Sequence, residues 1–429
     1  MTENLTEKLC KGTVSIIGLG YVGLPLARVF VLSGYTVNGI DLDVGKIERL
    51  NSGKSYLSDM SDQDIEELVQ TGRFSCQASY DAVGQSDAVV ICVPTPLTKT
   101  GAPDLTYVES AAKELAGRLQ RNQLIVLESS TFPGTTDEHL APILEQSGLK
   151  VDIDFFLAYS PERINPGDAT DLRSIPKVLG GIGAESTNVA AALYREVFDE
   201  VVVVSSTRVA EFTKILENTQ RFINVSLCNE LAMLCERLDI NIWEAIAAAG
   251  TKPYGFTVYH PGPGIGGHCI PVDPLYLEFR AQQVGFSSGF IRLAQEINQR
   301  MPEYIIERIF KLVDSEQPKV LIIGLAYKKN VNDIRESSAV VVLEKLRSRG
   351  VEVSYHDRYI PEITISGAVI SSVELTADRI RTFDCVVILT DHDYVDYAAV
   401  VQHARIVLDT RHAVAAIAEK VFRPNIVYL

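Results

Sequence analysis

The amino-acid sequence predicts an α/β protein with two doubly wound parallel-sheet domains, joined by a long central helix and a helical middle region. Three observations lead to this fold class. Short apolar runs alternate with helical segments from about residue 13, the alternation stops near residue 207, and it resumes at Lys319. Strands separated by helical segments are typical of parallel sheets with covering helices. We therefore expect domains at residues 1–205, 206–312 and 313–429.

The apolar runs give the expected strands. In the first domain they are Thr13–Ile17, Tyr35–Ile40, Ala88–Val93, Leu124–Leu127, Phe155–Tyr159 and Val201–Val204. Residues 207–238 contain neither Gly nor Pro and predict one helix long enough to connect domains. A loop, HPGPGIGGHCIP, and further helix to about Lys311 follow. The last domain is expected to have strands at Val320–Ile323, Val351–Tyr355, Cys385–Leu389 and Ile406–Leu408.

Composition excludes several classes of partner. The 429-residue chain has a formal net charge of −15, which argues against nucleic acid and anionic membrane surfaces. No apolar run approaches the length of a membrane span, and the polar first residues do not resemble a signal peptide. The seven cysteines include no C-x-x-C pair, so we expect neither a disulfide framework nor a metal site. A cytoplasmic protein that acts on a small molecule is expected.

The first motif is GLGYVG at residues 18–23, where the first strand ends and the first helix begins. Its glycines, Gly18, Gly20 and Gly23, are typical of a Rossmann-like turn that holds a dinucleotide pyrophosphate at a helix N-terminus. Asp41 ends the next strand, where a carboxylate binds ribose hydroxyls and favours NAD over NADP, and Lys46 lies one turn onward. On these residues alone FAD stays open, as does a plain glycine turn.

The second motif surrounds Cys269 in GPGIGGHCIPVDP, residues 262–274. Four glycines leave the backbone bare around the cysteine, which suits a polar ligand lying against the chain. A thiolate is the reactive form, and Asp273 is close enough in sequence to hold a water or an ammonium beside the sulfur. The alternative is a glycine-rich connector with an inert thiol.

Two further pairs of polar residues occupy positions that suit a site. Lys214 and Asn218 are spaced i and i+4, so they project from one face of the long helix, although a solvated stripe would show the same spacing. Thr131 and Glu162 follow two neighbouring strands, and ligands bind at the carboxyl ends of parallel strands. Either of the latter could equally cap a loop.

The last domain carries three candidate anion-binding bases, Lys328, Arg335 and Arg411. Its first turn, GLAYK, lacks the three-glycine fingerprint, so a second dinucleotide site is not expected. Scattered surface bases are the alternative interpretation.

Taken together, the motifs resemble the UDP-glucose/GDP-mannose dehydrogenase family. The matching stretches cover nearly the whole chain and are GLGYVGLPLA, DAVVICVPTP, SSTFPGTT, YSPERINPG, EFTKILEN, GPGIGGHCIPVDPLYL and GLAYKKNVNDIRESSA. Within the family, TKPYGFTVYHPGPGIGGHCIP is most similar to bacterial UDP-N-acetylhexosamine 6-dehydrogenases, particularly those that act on UDP-N-acetylglucosamine. The resemblance implies an NAD-dependent homodimer that oxidises C6 of a UDP-sugar to a carboxylate through a cysteine thioester, for surface polysaccharide synthesis.

The resemblance also implies roles for individual residues. Cys269 would be the nucleophile, Lys214 and Asn218 would stabilise oxyanions, and Asp273 would position Lys214 and water. Glu162 would assist proton transfer and thioester hydrolysis. The residues implied for NAD contact are Gly18, Gly20, Tyr21, Val22, Gly23, Asp41, Lys46, Thr95, Thr131 (which would also hold the catalytic water) and Arg335. Those implied for substrate contact are Glu162, Arg163, Lys214, Asn218, Lys252, Gly266, Lys328 and Arg411.

Three departures from the family pattern weaken UDP-glucose as the substrate. Pro166 stands where UDP-glucose dehydrogenases have a second glutamate, Val272 stands where they have a lysine, and only Lys252 lies near the position of an arginine. UDP-glucose, UDP-N-acetylgalactosamine and UDP-N-acetylmannosamine are the alternative substrates. A simple two-electron hydroxyacid-type dehydrogenase, or a non-catalytic NAD sensor, would be the alternatives to this chemistry.

Overall fold

The computed structural model describes residues 11–57, 59–98, 101–164, 170–315, 317–418 and 425–429. Internal contacts divide the described chain into two compact units. The first comprises the residues up to Glu217 together with Leu275–Phe286, and the second comprises Asn218–Pro274 and the residues from Ser287 onward. The domain bounds expected from the sequence stay a prediction.

The first unit is built on one large sheet. Its strands are β1 (Thr13–Ile17), β2 (Thr36–Ile40), β3 (Phe74–Gln77), β4 (Ala88–Ile91), β5 (Leu124–Leu127), β6 (Phe156–Tyr159), β7 (Lys177–Gly181) and β8 (Val201–Val203). Within the described residues the strand order is β3-β2-β1-β4-β5-β6-β7-β8. The neighbouring pairs are parallel except β6 and β7, which run antiparallel.

Helices cover both faces of this sheet. They are α1 (Gly23–Leu32), α2 (Val44–Asn51), α3 (Asp62–Gln70), α4 (Thr106–Ala116), α5 (Ala141–Leu144) and α6 (Ala184–Arg195). One core holds Phe30 of α1 and Tyr194 of α6, and the other holds Leu115 of α4. Because both faces are covered, all four residues of β4 are buried, which explains its unbroken apolar run.

A single long helix, α7 (Thr207–Leu238), has the bounds expected from the sequence. It is followed by α8 (Ile242–Gly250), α9 (Asp273–Gln283) and α10 (Gly289–Leu312). No helix among the described residues is long and apolar enough to cross a membrane.

The second unit contains a smaller parallel sheet. Its elements are β9 (Lys319–Ile323), α11 (Ser338–Ser348), β10 (Glu352–His356), α12 (Ala377–Arg381), β13 (Cys385–Ile388), α13 (Tyr397–His403), β14 (Val407–Asp409), α14 (Ala415–Ala418) and β15 (Ile426–Tyr428), with a separate hairpin of β11 (Glu362–Ile365) and β12 (Ala368–Ser371). The strand order is β10-β9-β13-β14-β15, and each neighbouring pair is parallel.

The predicted fold class is confirmed, with one correction. Every expected strand is present with bounds within two residues. Expectation and structure differ at β3, β7, β15 and the hairpin, which were not predicted, and at β7 the chain direction reverses. The first sheet is therefore not wholly parallel.

Candidate active site

The glycine turn after β1 has the shape that a pyrophosphate needs. Gly18 has φ +91°, and a Cβ there would lie 2.5 Å from the carbonyl oxygen of Cys92. A Cβ on Gly23 would overlap the carbonyl oxygen of Gly18. A Cβ on Gly20, in contrast, would meet no heavy atom within 4 Å. The first and third glycines are thus required by packing, whereas the second leaves open space for a phosphate to approach the backbone.

Asp41, at the end of β2, is joined to this turn. Its Oδ2 accepts hydrogen bonds from the backbone N–H of Leu19 at 2.9 Å and from Lys46 Nζ at 3.1 Å. Its Oδ1 accepts the N–H of Asp43 at 3.0 Å. Because Lys46 is partly exposed, a ribose hydroxyl could share or replace its contact with Asp41. The turn and the carboxylate together fit NAD.

Three further positions predicted to contact NAD lie just before α1 and after β4. Tyr21 and Val22 occupy the two positions before α1, and both are half-buried. Thr95 follows β4, and its hydroxyl donates to the carbonyl oxygen of Ser130 at 2.7 Å. Its own carbonyl oxygen accepts a hydrogen bond from the hydroxyl of Tyr276.

Thr131 lies in the turn after β5. The side chain is buried, and its Oγ1 has no hydrogen-bond partner among the described residues. Such a group favours a bound water or a ligand. The turn is held by Glu211 of α7, which accepts the N–H of Gly134 at 2.6 Å and of Thr136 at 2.8 Å, and the hydroxyl of Thr136 at 2.7 Å. Glu211 was not predicted from the sequence.

Glu162 belongs to a buried charge cluster. Lys177 Nζ lies 2.8 Å from Glu162 Oε2 and 2.7 Å from Glu128 Oε2, and all three side chains are buried. Burial raises the pKa of Glu162, but the charge of Lys177 and the hydrogen bonds it receives outweigh burial and bring the pKa below its ordinary value. For Glu128 burial prevails, and its pKa is raised.

The reversal of chain direction at β7 brings Lys177 into this cluster. In the antiparallel register Ala158 pairs with Gly181 and Tyr159 with Gly180. Continuing the same register by three residues places Glu162 opposite Lys177. The sequence offered no signal for this neighbour because neither β7 nor its direction was predicted.

Arg163 and Lys214 are also held in the first unit. The guanidinium of Arg163 lies 2.6 Å from Glu217 and donates to the carbonyl oxygen of Pro176 at 2.9 Å. Lys214 on α7 is buried, and its positive charge helps to lower the pKa of Glu162.

In the second unit, hydrogen bonds connect three of the predicted catalytic residues. Asn218 Nδ2 donates to Asp273 Oδ2 at 2.6 Å, and both side chains are buried. The backbone N–H of Asp273 donates to the carbonyl oxygen of Cys269 at 2.8 Å. The Cys269 side chain is half-buried, and its Sγ lies 3.2 Å from His268 Nδ1. A thiol, an imidazole, a carboxylate and an amide are therefore grouped at the start of α9.

The glycines of the Cys269 loop have a different cause from the one expected. A Cβ on Gly266 would lie 2.7 Å from the carbonyl oxygen of Glu336, and one on Gly267 would lie 2.8 Å from the ring of Tyr327. A Cβ on Gly264 would overlap the hydroxyl of Ser338. The bare backbone at these positions faces protein, so close packing against the residues after β9 explains these glycines, and a ligand is not needed to explain them.

Two asparagines fix the same loop, and sequence reasoning missed both. Asn229 of α7 accepts the N–H of Gly262 at 2.8 Å. Asn298 of α10 accepts the N–H of Ile265 at 2.7 Å and donates to its carbonyl oxygen at 3.2 Å. An asparagine within a helix gives no sequence signal for a distant loop.

The predicted anion-binding bases have separate surroundings. Arg335 is exposed and forms a two-pronged ion pair with Asp333, and its carbonyl oxygen accepts the N–H of Gly267 at 3.0 Å. Arg411 is half-buried and donates to the carbonyl oxygen of Leu389 at 2.9 Å. A Cβ on Gly262 would lie 2.9 Å from the Arg411 guanidinium, which therefore lies against the Cys269 loop.

Two other predicted substrate contacts are Lys328 and Lys252. Lys328 follows β9 and is half-buried. Lys252 is exposed, with its Nζ 5.0 Å from the centre of the Tyr254 ring. Pro166, one of the three departures from the family pattern, lies outside the described residues.

The turn after β9 differs from a dinucleotide turn. Asp357, which ends β10 as Asp41 ends β2, is fully buried. Its Oδ2 accepts the N–H groups of Leu325 and Ala326 at 2.8 and 3.0 Å, and lies 3.1 Å from His392 Nε2. This carboxylate is thus inaccessible to a ribose.

The described part of the chain contains no disulfide and no cluster of metal-binding side chains. The six described cysteines are free thiols, and Cys76, Cys92 and Cys385 are buried. Among the described residues no group of three or more His, Cys, Asp or Glu side chains could hold a metal ion.

Comparison with known proteins identifies the family. Three family models match in chain order: the NAD binding domain of the UDP-glucose/GDP-mannose dehydrogenase family at residues 12–198, its central domain at 208–300 and its UDP binding domain at 321–416. The chain belongs to the UDP-glucose/GDP-mannose dehydrogenase family. It is therefore a UDP-sugar dehydrogenase homologue with an NAD-binding first domain, and the expectation of NAD is confirmed.

Relatives of known activity cover most of the chain. A UDP-N-acetyl-D-mannosamine dehydrogenase from Pyrococcus horikoshii is 34% identical over 88% of this chain and 89% of its own. A UDP-N-acetyl-D-glucosamine 6-dehydrogenase from Pseudomonas aeruginosa is 36% identical over 81% of this chain and 83% of its own. A solved structure of the UDP-N-acetylmannosamine dehydrogenase from Pyrococcus horikoshii has a TM-score of 0.86 at 31% identity and covers 97% of this chain and 98% of its own.

Proposed function

We propose that this protein is a UDP-N-acetylhexosamine 6-dehydrogenase that oxidises the C6 alcohol of its substrate to a carboxylate in two NAD-dependent steps, for the synthesis of surface polysaccharide precursors. The observation that carries the proposal is the arrangement around Cys269. A half-buried thiol lies 3.2 Å from an imidazole nitrogen and next to the buried Asp273–Asn218 pair. A two-electron dehydrogenase would need no such nucleophile.

The glycine turn at residues 18–23 and Asp41 would hold NAD, which would supply the hydride acceptor for each of the two oxidations. In the first oxidation the C6 hydroxyl would lose a proton and the C6 carbon a hydride, which gives an aldehyde. The Cys269 thiolate then adds to the aldehyde carbon, and the oxygen takes up a proton to give a thiohemiacetal. Loss of a second hydride from that carbon and of the hydroxyl proton would leave a thioester. The ammonium of Lys214 and the amide of Asn218 stabilise the negative oxygen that develops on C6. Asp273 orients Asn218, to which it is hydrogen-bonded.

Hydrolysis completes the reaction. The Thr131 hydroxyl, which has no partner in the described part of the chain, holds a water. This water attacks the acyl carbon and gives one proton to the Glu162 carboxylate. The new carbon–oxygen bond forms, the bond from carbon to the Cys269 sulfur breaks, and the thiolate leaves. The acid then ionises, and Glu162 releases its proton.

The pyrophosphate of the sugar nucleotide needs positive partners, because the chain as a whole has a net charge of −15. We assign that role to Lys328 and Arg411 in the residues matched by the UDP binding domain. We assign contact with the sugar to Arg163, to Lys252 and to the peptide groups of Gly266, whose side-chain position faces protein.

UDP-N-acetylglucosamine is the first substrate we propose, on the similarity of the segment before Cys269 and on the 36% identity to the Pseudomonas aeruginosa glucosamine enzyme. UDP-N-acetylmannosamine is the second, because the Pyrococcus horikoshii mannosamine enzyme matches a larger share of the chain. The two epimers differ only in configuration at C2, far from the reacting C6.

The test of substrate is a panel of five sugar nucleotides: the UDP forms of N-acetylglucosamine, N-acetylgalactosamine, N-acetylmannosamine and glucose, and GDP-mannose. We expect NADH formation with an N-acetylhexosamine and a much lower kcat/KM with UDP-glucose and GDP-mannose. Turnover of UDP-glucose at an equal or higher kcat/KM would overturn the N-acetylhexosamine assignment, and no turnover of any member would overturn the enzyme assignment.

We also propose that the protein is a homodimer assembled through α7. Four leucines at heptad-like spacing form one exposed stripe: Leu227, Leu231, Leu234 and Leu238, which are 39–57% exposed. A Leu231→Glu substitution should convert a dimer to a monomer in light scattering, whereas Leu32→Glu, at an exposed position of α1, should not. A monomeric mass for the unaltered protein would overturn this proposal.

A further inference from the structure

We propose that Lys177 is a positioning residue of the reaction, which keeps the Glu162 carboxylate ionised and oriented for proton transfer, while Glu128 holds Lys177 in place. The inference rests on the proposed function, because Glu162 is the proton acceptor of that proposal. Lys177 was not predicted as a site residue, and nothing in the motifs of the chain points to it.

The ammonium of Lys177 is completely enclosed. Its Nζ lies 2.7 Å from Glu128 Oε2 and 2.8 Å from Glu162 Oε2, and the side chains of the three residues are 3%, 0% and 6% exposed. The rings of Tyr194 and Phe198 lie 6.0 and 5.2 Å from the same nitrogen. A buried ammonium is stable only when it is paired, so its position is set by the two carboxylates.

With respect to the described residues, Glu162 has one acceptor position left. Its Oε1 accepts the backbone N–H groups of Arg163 at 2.6 Å and Ile164 at 2.8 Å, and its Oε2 accepts from Lys177. Two carboxylate oxygens offer about four lone-pair sites. Three are therefore occupied, and the fourth, on Oε2, is the one that a water or hydroxyl proton can meet. Without Lys177 the carboxylate would lose both its counter-charge and one of the contacts that fix this oxygen.

Charged and titratable groups approach Glu162 from several elements. They are Lys177 on β7, Glu128 after β5, Cys92 after β4, Tyr194 on α6, Lys214 on α7, and Arg163 with its partner Glu217. The pKa values of Cys92 and Tyr194 are raised well above their ordinary values by burial, so both stay uncharged at neutral pH. Charge around the carboxylate is thus set mainly by the two lysines and Glu128, and of these three side chains Lys177 is the one that donates a hydrogen bond to it.

The environments of the two carboxyl groups push their pKa values apart. Burial raises the pKa of Glu128 despite its contact with Lys177. For Glu162 burial also raises the pKa, but the effects of Lys177 and of the backbone N–H groups are larger, and the pKa is lowered. Carboxyl groups separated in this way commonly divide their roles. Glu162 is thus the one that stays a base, and Glu128 is the anchor.

The experiment compares the pH dependence of kcat for the full-length protein and its variants. Since Glu162 must be ionised to accept a proton, kcat falls as the pH drops through its pKa. Removing the charge in Lys177→Met should raise that pKa. The acid limb, which is the fall of kcat on the acidic side of its pH profile, should therefore move upward by about one to three pH units. The loss of kcat should be at most a few-fold at pH 7 and should grow to about five- to tenfold one pH unit below the shifted limb, with the KM for the sugar nucleotide nearly unchanged.

Three further variants separate charge from folding. Lys177→Arg keeps the charge and should keep the acid limb near that of the unaltered protein. Lys177→Gln, which can still donate hydrogen bonds, serves if Lys177→Met does not fold, and its limb should also move upward. Glu128→Gln removes the other negative charge but keeps an oxygen that can still accept from Lys177, so it should leave the limb at or below its original pH.

The results also separate this inference from the proposed function. A folded, active Lys177→Gln or Lys177→Met variant with an unmoved acid limb would overturn the role of Lys177 and leave the dehydrogenase assignment intact. An upward shift in Glu128→Gln equal to that of Lys177→Met would do the same, because general damage would then explain both. No oxidation of any UDP-N-acetylhexosamine by the unaltered protein would overturn both proposals.

Discussion

The glycine turn between β1 and α1 allows binding to be separated from folding by two substitutions three residues apart. Gly20 lies outside the left-handed region, and a Cβ there meets no heavy atom within 4 Å. Gly20→Ala should therefore fold normally, and the restricted unfolded chain should add about 0.4–1 kcal/mol of stability. The new methyl group would occupy the space expected for the pyrophosphate.

The cost to NAD binding follows from the contacts that the methyl group displaces. Loss of one charge-assisted hydrogen bond between the backbone and a phosphate costs about 1.5–3 kcal/mol. This corresponds to roughly a ten- to hundredfold increase in Kd. Isothermal titration calorimetry with NAD should show that increase for Gly20→Ala, while differential scanning fluorimetry without ligand shows a Tm that is unchanged or slightly higher.

Gly23→Ala is the matched control. A Cβ there would overlap the carbonyl oxygen of Gly18, with the carbonyl carbon 3.0 Å away, so the backbone must move. Overpacking of this kind costs about 1–3 kcal/mol or more, and Tm should fall by several degrees. An unchanged Kd for NAD in Gly20→Ala would refute the assignment of the open space to the pyrophosphate, and a loss of Tm equal to that of Gly23→Ala would refute the packing argument.

Two further substitutions test the residues of α7. Lys214→Ala should lower kcat about a hundredfold or more, because one oxyanion donor is worth about 3–4 kcal/mol. Steady-state kinetics would check this, with a substitution of the exposed Arg221 by alanine as the control. An equal loss of kcat in both variants would contradict the role of Lys214. Glu211→Ala leaves three donors of Gly134 and Thr136 without their acceptor and should lower the free energy of unfolding by roughly 3 kcal/mol. A change of less than about 1 kcal/mol in urea unfolding would show that the hydrogen bonds to Glu211 do not stabilise the protein.

Local patterns in the sequence were sufficient to predict much of the fold. The absence of Gly and Pro predicted α7 from Thr207 to about Leu238, which agrees with the structure. Unbroken apolar runs predicted β4 and β5, because a strand covered on both faces has no polar side. The strand β7 was missed because KVLGG contains two glycines, which are uncommon in strands. Its direction depends on a tertiary pairing that no local pattern records.

The contrast between local sequence patterns and tertiary contacts also separates the predicted from the unpredicted parts of the site. Gly20 and Asp41 were predicted because the chemistry of a dinucleotide turn fixes their spacing along the chain. Lys177 could not be predicted, because it meets Glu162 only through the antiparallel register of β6 and β7. The glycines before Cys269 were attributed to a ligand because the neighbours that explain Gly266 and Gly267, Tyr327 and Glu336, come from a distant part of the chain.

The measurement that tests the central claim most directly is the number of NADH molecules formed per sugar nucleotide, in the unaltered protein and in Cys269→Ser. We expect two NADH per sugar carboxylate for the unaltered protein and for the control Cys235→Ser, in which a half-buried thiol on α7 is replaced. Cys269→Ser should still bind the sugar nucleotide but form no carboxylate. One NADH per sugar in the unaltered protein, or two at a normal rate in Cys269→Ser, would contradict the thioester mechanism.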